Sequence, residues 1–369
     1  MALRRSVEAV RCAELSGFDD VWIAEHHFMP YGTCPSAVTF AAHALGQTTT
    51  IVVGTAISVL STTHPVALAE QTLLLDQISN GRFHLGVGRG GPWVDLEVFG
   101  TGLDRYQHGF EEGLDLLLES MTAQRVSANG DHFTFRAVPM VPRAFTRPRP
   151  PVVVACTSTA TVELAARRGL PMLLGMHIGD ADKAAMVAHY TRVSHAAGHD
   201  PAAVEHVSAV LAHLAENRAQ AVRELRAAMP GWLAAGLAAH IRVDDRPGPS
   251  RDPDHYTDML CGLHPVGSPR ECIQRLLASA ERTGIRHVIM MVEGTGTPEA
   301  TLTTIQRLGA QVLPHLRARP RKAAGASSRA AQGSGSATAH AARRTPGTGR
   351  RPPPTVGTPQ PDDSSGTPT

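Results

Sequence analysis

Cysteine is scarce in this chain and badly spaced for either of its structural uses. The five thiols, Cys12, Cys34, Cys156, Cys261 and Cys272, are odd in number and never fall as Cys-x-x-Cys, which argues against a disulfide framework and against a zinc site. A reducing cytoplasm suits such a chain. Net charge is equally small: 35 Lys and Arg against 33 Asp and Glu leave +2. Much of the excess Arg sits in the C-terminal tail, so no folded basic face for nucleic acid is implied. Long hydrophobic runs are missing too. The amino-terminal stretch carries Arg4, Arg5, Glu8 and Arg11 where a signal peptide needs an apolar core, and no later segment could span a bilayer. The expectation is a soluble cytoplasmic protein whose partners are small molecules, without nucleic acid, membrane or metal.

What is present is room for a large core and a repeated order of strands and helices. With 369 residues and 42% hydrophobic content, one α/β barrel would use most of the chain. Leu3, Val7, Val10 and Leu15 keep helical spacing with Gly17 behind them, so the chain begins inside a helix. Strands are predicted around Trp22 and over 51–60, and then, after a helix opened by His64-Pro65, over 83–88. After a long Pro-rich connection the alternation resumes at 152–155, 171–174 and 287–292, with a last helix from Pro298 to about Leu316. Such alternation predicts a parallel sheet and a TIM (β/α)8 barrel over residues 1–316. Residues 317–369 turn to Ala, Arg, Gly, Ser, Pro and Thr without apolar periodicity and are expected to be disordered.

Three constellations could carry chemistry. Glu25, His26 and His27 follow a short strand directly, and the carboxyl ends of barrel strands are where catalytic groups face a cavity. Alternate side chains on an extended end share a direction, so one His faces the cavity while the other packs. A His there exchanges protons near neutral pH, its ordinary pKa being about 6.5; the competing readings are a capped structural histidine and a metal ligand, the latter without the His-Glu-x-x-His spacing of a zinc site. The run Gly86-Val87-Gly88-Arg89-Gly90-Gly91 lacks the spacing of a dinucleotide fingerprint. It offers instead a bare strand end for a flat ligand and, in Arg89, a fork-shaped cation suited to phosphate. Thr157-Ser158-Thr159-Ala160-Thr161, between a strand and a helix, supplies either a helix cap or an anion site, and the two are compatible.

Taken in order and spacing, Trp22 to Phe28, Val53-Gly54-Thr55-Ala56, His64-Pro65-Val66, Leu75 to Phe83 and Gly86 to Gly90 resemble the bacterial luciferase-like flavin monooxygenases. Later stretches, Ala165 to Met172, Tyr190 to Asp200 and Pro265 to Ile273, are similar to the luciferase alpha chain type. The resemblance implies a barrel that receives reduced FMN from a separate flavin reductase and, with O2, oxygenates a small organic substrate through a C4a-peroxyflavin. It places His26 at the catalytic histidine, Arg89, Thr157, Ser158 and Thr161 around the FMN phosphate, and Ala56-Ile57 at a cis peptide beside the flavin ring. Gly88 stands where a reactive cysteine lies near the flavin. It also implies a homodimer. The alternatives are an oxidoreductase of the same superfamily that uses F420 and transfers hydride, and a non-catalytic flavin-binding partner subunit.

Departures from the family pattern are equally specific. Gln107 stands where a second phosphate-binding Arg is expected, with Arg105 nearby as a substitute, and Met176 replaces an aromatic residue of the pocket. The mobile segment that shields the luciferase intermediate is represented by a shorter stretch from Arg246 to His255, so light emission is not expected. Members of the family place a strand before the first helix. The expected barrel therefore lacks its first strand and has two raw edges, for which an upstream start or an impaired product would account.

Overall fold

The computed structural model describes residues 2–246 and 251–317. The chain opens with helix α1 (Ala2–Leu15), reversed at Gly17 (φ +81°), and enters strand β1 (Asp20–Ile23), helix α2 (Ala37–Gly46) and strand β2 (Val52–Thr55). The single strand expected over 51–60 is in fact two, because the Ala56–Ile57 peptide is cis and turns the chain before β3 (Ser58–Val59). Helix α3 (Pro65–Ser79) has Pro at its start and ends on Asn80 in the left-handed region (φ +56°), the two devices that open and close helices with little strain. Strand β4 (Phe83–Gly88) follows.

The Pro-rich connection holds more structure than its composition suggests. It contains α4 (Asp95–Val98), α5 (Gly102–His108), α6 (Phe110–Thr122) and an antiparallel hairpin of β5 (Arg125–Asn129) and β6 (Thr134–Pro139). Its end is pinned by the buried Asp76 carboxylate, which accepts hydrogen bonds from Phe145 N, Thr146 N and Thr146 Oγ1 at 2.7–2.9 Å. Then come β7 (Val152–Cys156), α7 (Thr159–Arg167), β8 (Met172–Leu174), α8 (Asp180–Ala196), β9 (Val207–Leu211) and β10 (His213–Leu214). The rest is α9 (Arg218–Ala238), α10 (Pro253–Leu263), β11 (Val266–Gly267), α11 (Pro269–Thr283) and β12 (His287–Met291). The expected last helix breaks at Val312 into α12 (Pro298–Gln311) and α13 (Leu313–Arg317).

One parallel sheet runs β1-β2-β4-β7-β8-β9-β12, with β3 paired to β4. It curls nearly into a barrel. The proof is in the side chains: Val153, Leu173 and Val207 form a buried cluster with Trp22 from β1 and Ile289 from β12, which stand at opposite ends of the strand order. A second, larger core lies between the sheet and the outer helices, through Leu73, Phe83, Leu85, Leu114, Val154 and Leu174.

The two edges face each other without pairing. Every residue of β1 and of β12 is part-exposed, whereas β8 is buried throughout. Side chains bridge the seam instead: His287 Nε2 lies 2.8 Å from Asp20 Oδ2, and the Trp22 ring meets His287 edge-on at 5.8 Å. The expected disordered tail falls outside the described residues except for Arg317, which ends α13 and donates to Gly17 O and Asp19 Oδ2.

Candidate functional site

Alternation at the end of β1 separates the two histidines. Glu25 and His27 turn to one side, where the Glu25 carboxylate accepts from Ala37 N and Val59 N at 2.9 Å and so ties the start of α2 to β3. His27 approaches Glu25 at 3.8 Å and packs on Phe99, with ring centroids 5.0 Å apart. With Ser58, Thr62 and Phe99 they line a cavity of about 170 Å3. His26 turns the other way and meets the Tyr31 ring at 5.4 Å. Its Nδ1 is buried against Gly32, whose positive φ of +57° carries the loop past the ring, and a Cβ there would stand 2.6 Å from that nitrogen. Burial first, and then the nearby His240, hold the His26 pKa below the ordinary 6.5. The imidazole is therefore neutral at pH 7 and able to take a proton.

Three further strands end along the same sheet, β2 beside β1 and then β4 and β7. The cis Ala56–Ile57 peptide follows β2. The room expected for a flat ligand over Gly88 is filled by Ile57, since a Cβ at Gly88 would lie 2.8 Å from Ile57 Cδ1. Arg89 leaves the end of β4 with its guanidinium over the rings of Tyr106 (5.7 Å) and Phe110 (5.5 Å). Its Nε is buried without a hydrogen-bond partner among the described residues. Strands β4 and β7 are in register through Val87 and Val154, so two residues on, the backbone of Arg89 runs beside Cys156 and the turn into α7.

That turn is a capping box. Ser158 Oγ accepts from Thr161 N, and Thr161 Oγ1 accepts from Thr157 N and Ser158 N. Ser158 and Thr161 therefore shape the turn. Thr157 to Ala160 are exposed, and the first-turn amides of α7 have no partner within the helix, which makes this end a locus for an anion. Arg105, expected as a stand-in for a second phosphate ligand, is otherwise engaged: it donates to Thr63 O at 2.5 Å and lies over Phe133.

Sequence reading missed the far wall of this end. Trp232 and Gly236 lie one turn apart on α9, and His240 follows a further turn on. Tyr31 stacks on Trp232 at 5.1 Å, and Trp93 meets His240 at 4.6 Å. The Trp-x3-Gly-x3-His spacing was the available signal. No group of three or more His, Cys, Asp or Glu able to hold a metal occurs among the described residues, nor is any helix there long and apolar enough to cross a membrane.

Comparison with known proteins agrees with this architecture. Residues 1–287 match the family model described as luciferase-like monooxygenase. The chain is 31% identical over 328 residues to the alkanal monooxygenase alpha chain of Photorhabdus luminescens, an alignment covering 84% of this chain and 91% of that one. Among solved structures, the oxygenating constituent of 3,6-diketocamphane monooxygenase from Pseudomonas putida, in complex with FMN, aligns with a TM-score of 0.68 and 19% identity over 85% of this chain and 93% of that one. An F420-dependent secondary alcohol dehydrogenase in complex with an F420-acetone adduct aligns with a TM-score of 0.68 and 18% identity over 86% and 96%. On the family match and the alpha-chain identity, this chain belongs to the luciferase-like monooxygenase family.

Proposed function

We propose that the protein is a flavin-dependent monooxygenase that takes reduced FMN from a separate reductase and uses O2 to oxygenate a small organic substrate, working as a homodimer. The observation that carries this reading is Arg89: a guanidinium over two rings, with a buried Nε that has no hydrogen-bond partner among the described residues, beside the exposed first turn of α7. A buried donor without a partner costs about 1–3 kcal/mol, and a phosphate would satisfy it.

The residues present fit FMN in that orientation. Arg89, Thr157 and the α7 amides would hold the phosphate, with Ser158 and Thr161 keeping the turn in shape. Ala56 and Ile57 would stand along the ring system, with Gly88 behind Ile57. When bound, reduced FMN supplies the electrons that activate O2. The chain's own part is to orient and to manage protons: neutral His26 takes or returns a proton at its ring, and the aromatic wall of Tyr31 and Trp232 limits the entry of water. The rival reading, hydride transfer with F420, has its support in the F420-dependent structural neighbour.

Titration with FMN and with F420, followed by oxygen uptake with a flavin reductase present, separates the two. The expected result is tight FMN binding and substrate-dependent oxygen uptake, with His26→Ala abolishing oxygenation and sparing FMN binding. Turnover unchanged in His26→Ala would remove its assigned role. FMN binding without turnover under any reductase or substrate would favour a supporting subunit.

A further inference from the structure

Aromatic residues are few, with three Trp and four Tyr, yet Trp93, Trp232, Tyr31 and Tyr106 gather where the strands end. Their contacts form a wall. Tyr31 and Trp232 stack with their planes nearly parallel, at 6° and 5.1 Å between centroids, and Tyr31 lies so close on Gly236 that an added Cβ would come within 2.9 Å of its ring. Trp232 Nε1 donates to Gly294 O at 3.2 Å, which fixes the indole. Trp93 stands edge-on to His240 at 4.6 Å, and the segment beyond α9 is stitched to it by Val94 N donating to Ile241 O and Val243 N to Pro92 O.

His240 is oriented within this wall. Its Nδ1 lies 2.8 Å from the Gly236 carbonyl. A carbonyl can only accept, so Nδ1 carries the proton and, in the neutral ring, Nε2 presents a lone pair. Among the described residues no hydrogen bond uses that nitrogen, although the ring is only half-buried. Tyr31 links His240 to the residue assigned to proton transfer, since the His26 ring lies 5.4 Å from Tyr31 on one side and Tyr31 packs on Gly236, one turn before His240, on the other.

We propose that His240 Nε2 is the hydrogen-bond acceptor for a hydroxyl of a planar aromatic substrate lying against the wall of Trp93, Tyr31 and Trp232. Aromatic ligands gain from offset and edge contacts with such a wall, and a single well-placed acceptor orients them. The assignment deepens the monooxygenase reading, since it names the substrate class of the same site.

The test measures binding, so that it reports separately from turnover. Full-length protein, with and without FMN, is titrated at about pH 8, where imidazoles are neutral, with 1-naphthol and with 1-methoxynaphthalene, which keeps the rings and lacks the donor. Quenching of Trp fluorescence reads occupancy. Naphthol is expected to bind about three- to tenfold more tightly, the span of one neutral hydrogen bond. His240→Asn keeps a donor for the Gly236 carbonyl and removes the Nε2 acceptor, so the two ligands should bind alike. His240→Gln places an amide oxygen near Nε2 and should restore the preference. Equal binding by the native protein, no binding of either compound, or a preference that survives in His240→Asn overturns the proposal. The native pair decides even where a variant fails to fold. Loss of oxygen uptake with the preference intact would instead count against the monooxygenase reading.

Discussion

Replacing Arg89 by Met should weaken FMN binding strongly while leaving the ligand-free protein nearly as stable as before. The guanidinium is already ordered between Tyr106 and Phe110, so binding a phosphate there requires little further loss of side-chain freedom. A charge-assisted hydrogen bond is worth about 1.5–3 kcal/mol, which corresponds to an FMN dissociation constant raised about ten- to a hundredfold. In the free protein two effects oppose each other. Met loses two cation–π contacts of about 0.5–1 kcal/mol each, and it removes a buried Nε without a partner, which costs about 1–3 kcal/mol. The net change in unfolding free energy should therefore stay within about 1 kcal/mol. Fluorescence titration with FMN and urea denaturation of the free protein measure the two quantities. Unchanged FMN affinity would refute the phosphate role of Arg89. A loss of several kcal/mol in the free variant would refute it equally, since Arg89 would then be a packing residue. Arg89→Lys, which keeps the charge and loses the fork, should fall between.

Two further perturbations probe the scaffold. Asp20→Asn breaks the pair that bridges the seam between β1 and β12; although burial works the other way, Asp20 raises the His287 pKa. Its contribution is present below the unfolded value of about 6.5 and lost as pH rises through the folded pKa. The variant should be about 1–2 kcal/mol less stable at about pH 6, with the gap closing at alkaline pH; a gap that grows with pH would refute the assignment. Lys183 is buried with its amine on Ser208 Oγ (2.8 Å) and Ala209 O, and burial lowers its pKa to about 8. Because the unfolded chain binds more protons between there and the ordinary 10.5, native stability should rise with pH over that window, by an amount of the order of 3 kcal/mol. Lys183→Met should flatten the rise, and denaturation curves of the two proteins at several pH values would show whether it does.

How much of this was legible beforehand differs from element to element. The strand Phe83–Gly88 and the helix Pro65–Ser79 were readable because apolar period, a starting Pro and an Asn-Gly stop all agree. The hairpin Arg125–Asn129 with Thr134–Pro139 was not, since its residues are largely exposed and carry no alternating apolar pattern. Strand β9 was missed too, though Val207–Leu211 is short and apolar enough to have been a candidate. At the site, His26, Arg89 and the Thr157–Thr161 turn were found as strand-end residues. Tyr31, Trp232 and His240 were not, because a helix stripe and a loop tyrosine become a wall only when α9 packs on the loop that follows β1.

By itself, the order of residues determined the barrel, the positions where strands stop and the candidate site residues follow, and the capping of α7, since each depends on spacing along a few neighbouring residues. Only the tertiary structure decided the rest. It sent His26 towards Tyr31 and His27 into a separate cavity, engaged Arg105 with Thr63, filled the space over Gly88 with Ile57 and turned Nδ1 of His240 onto the Gly236 carbonyl. These outcomes turn on which side chains from distant segments compete for the same volume and the same hydrogen bonds, and no local pattern carries that information.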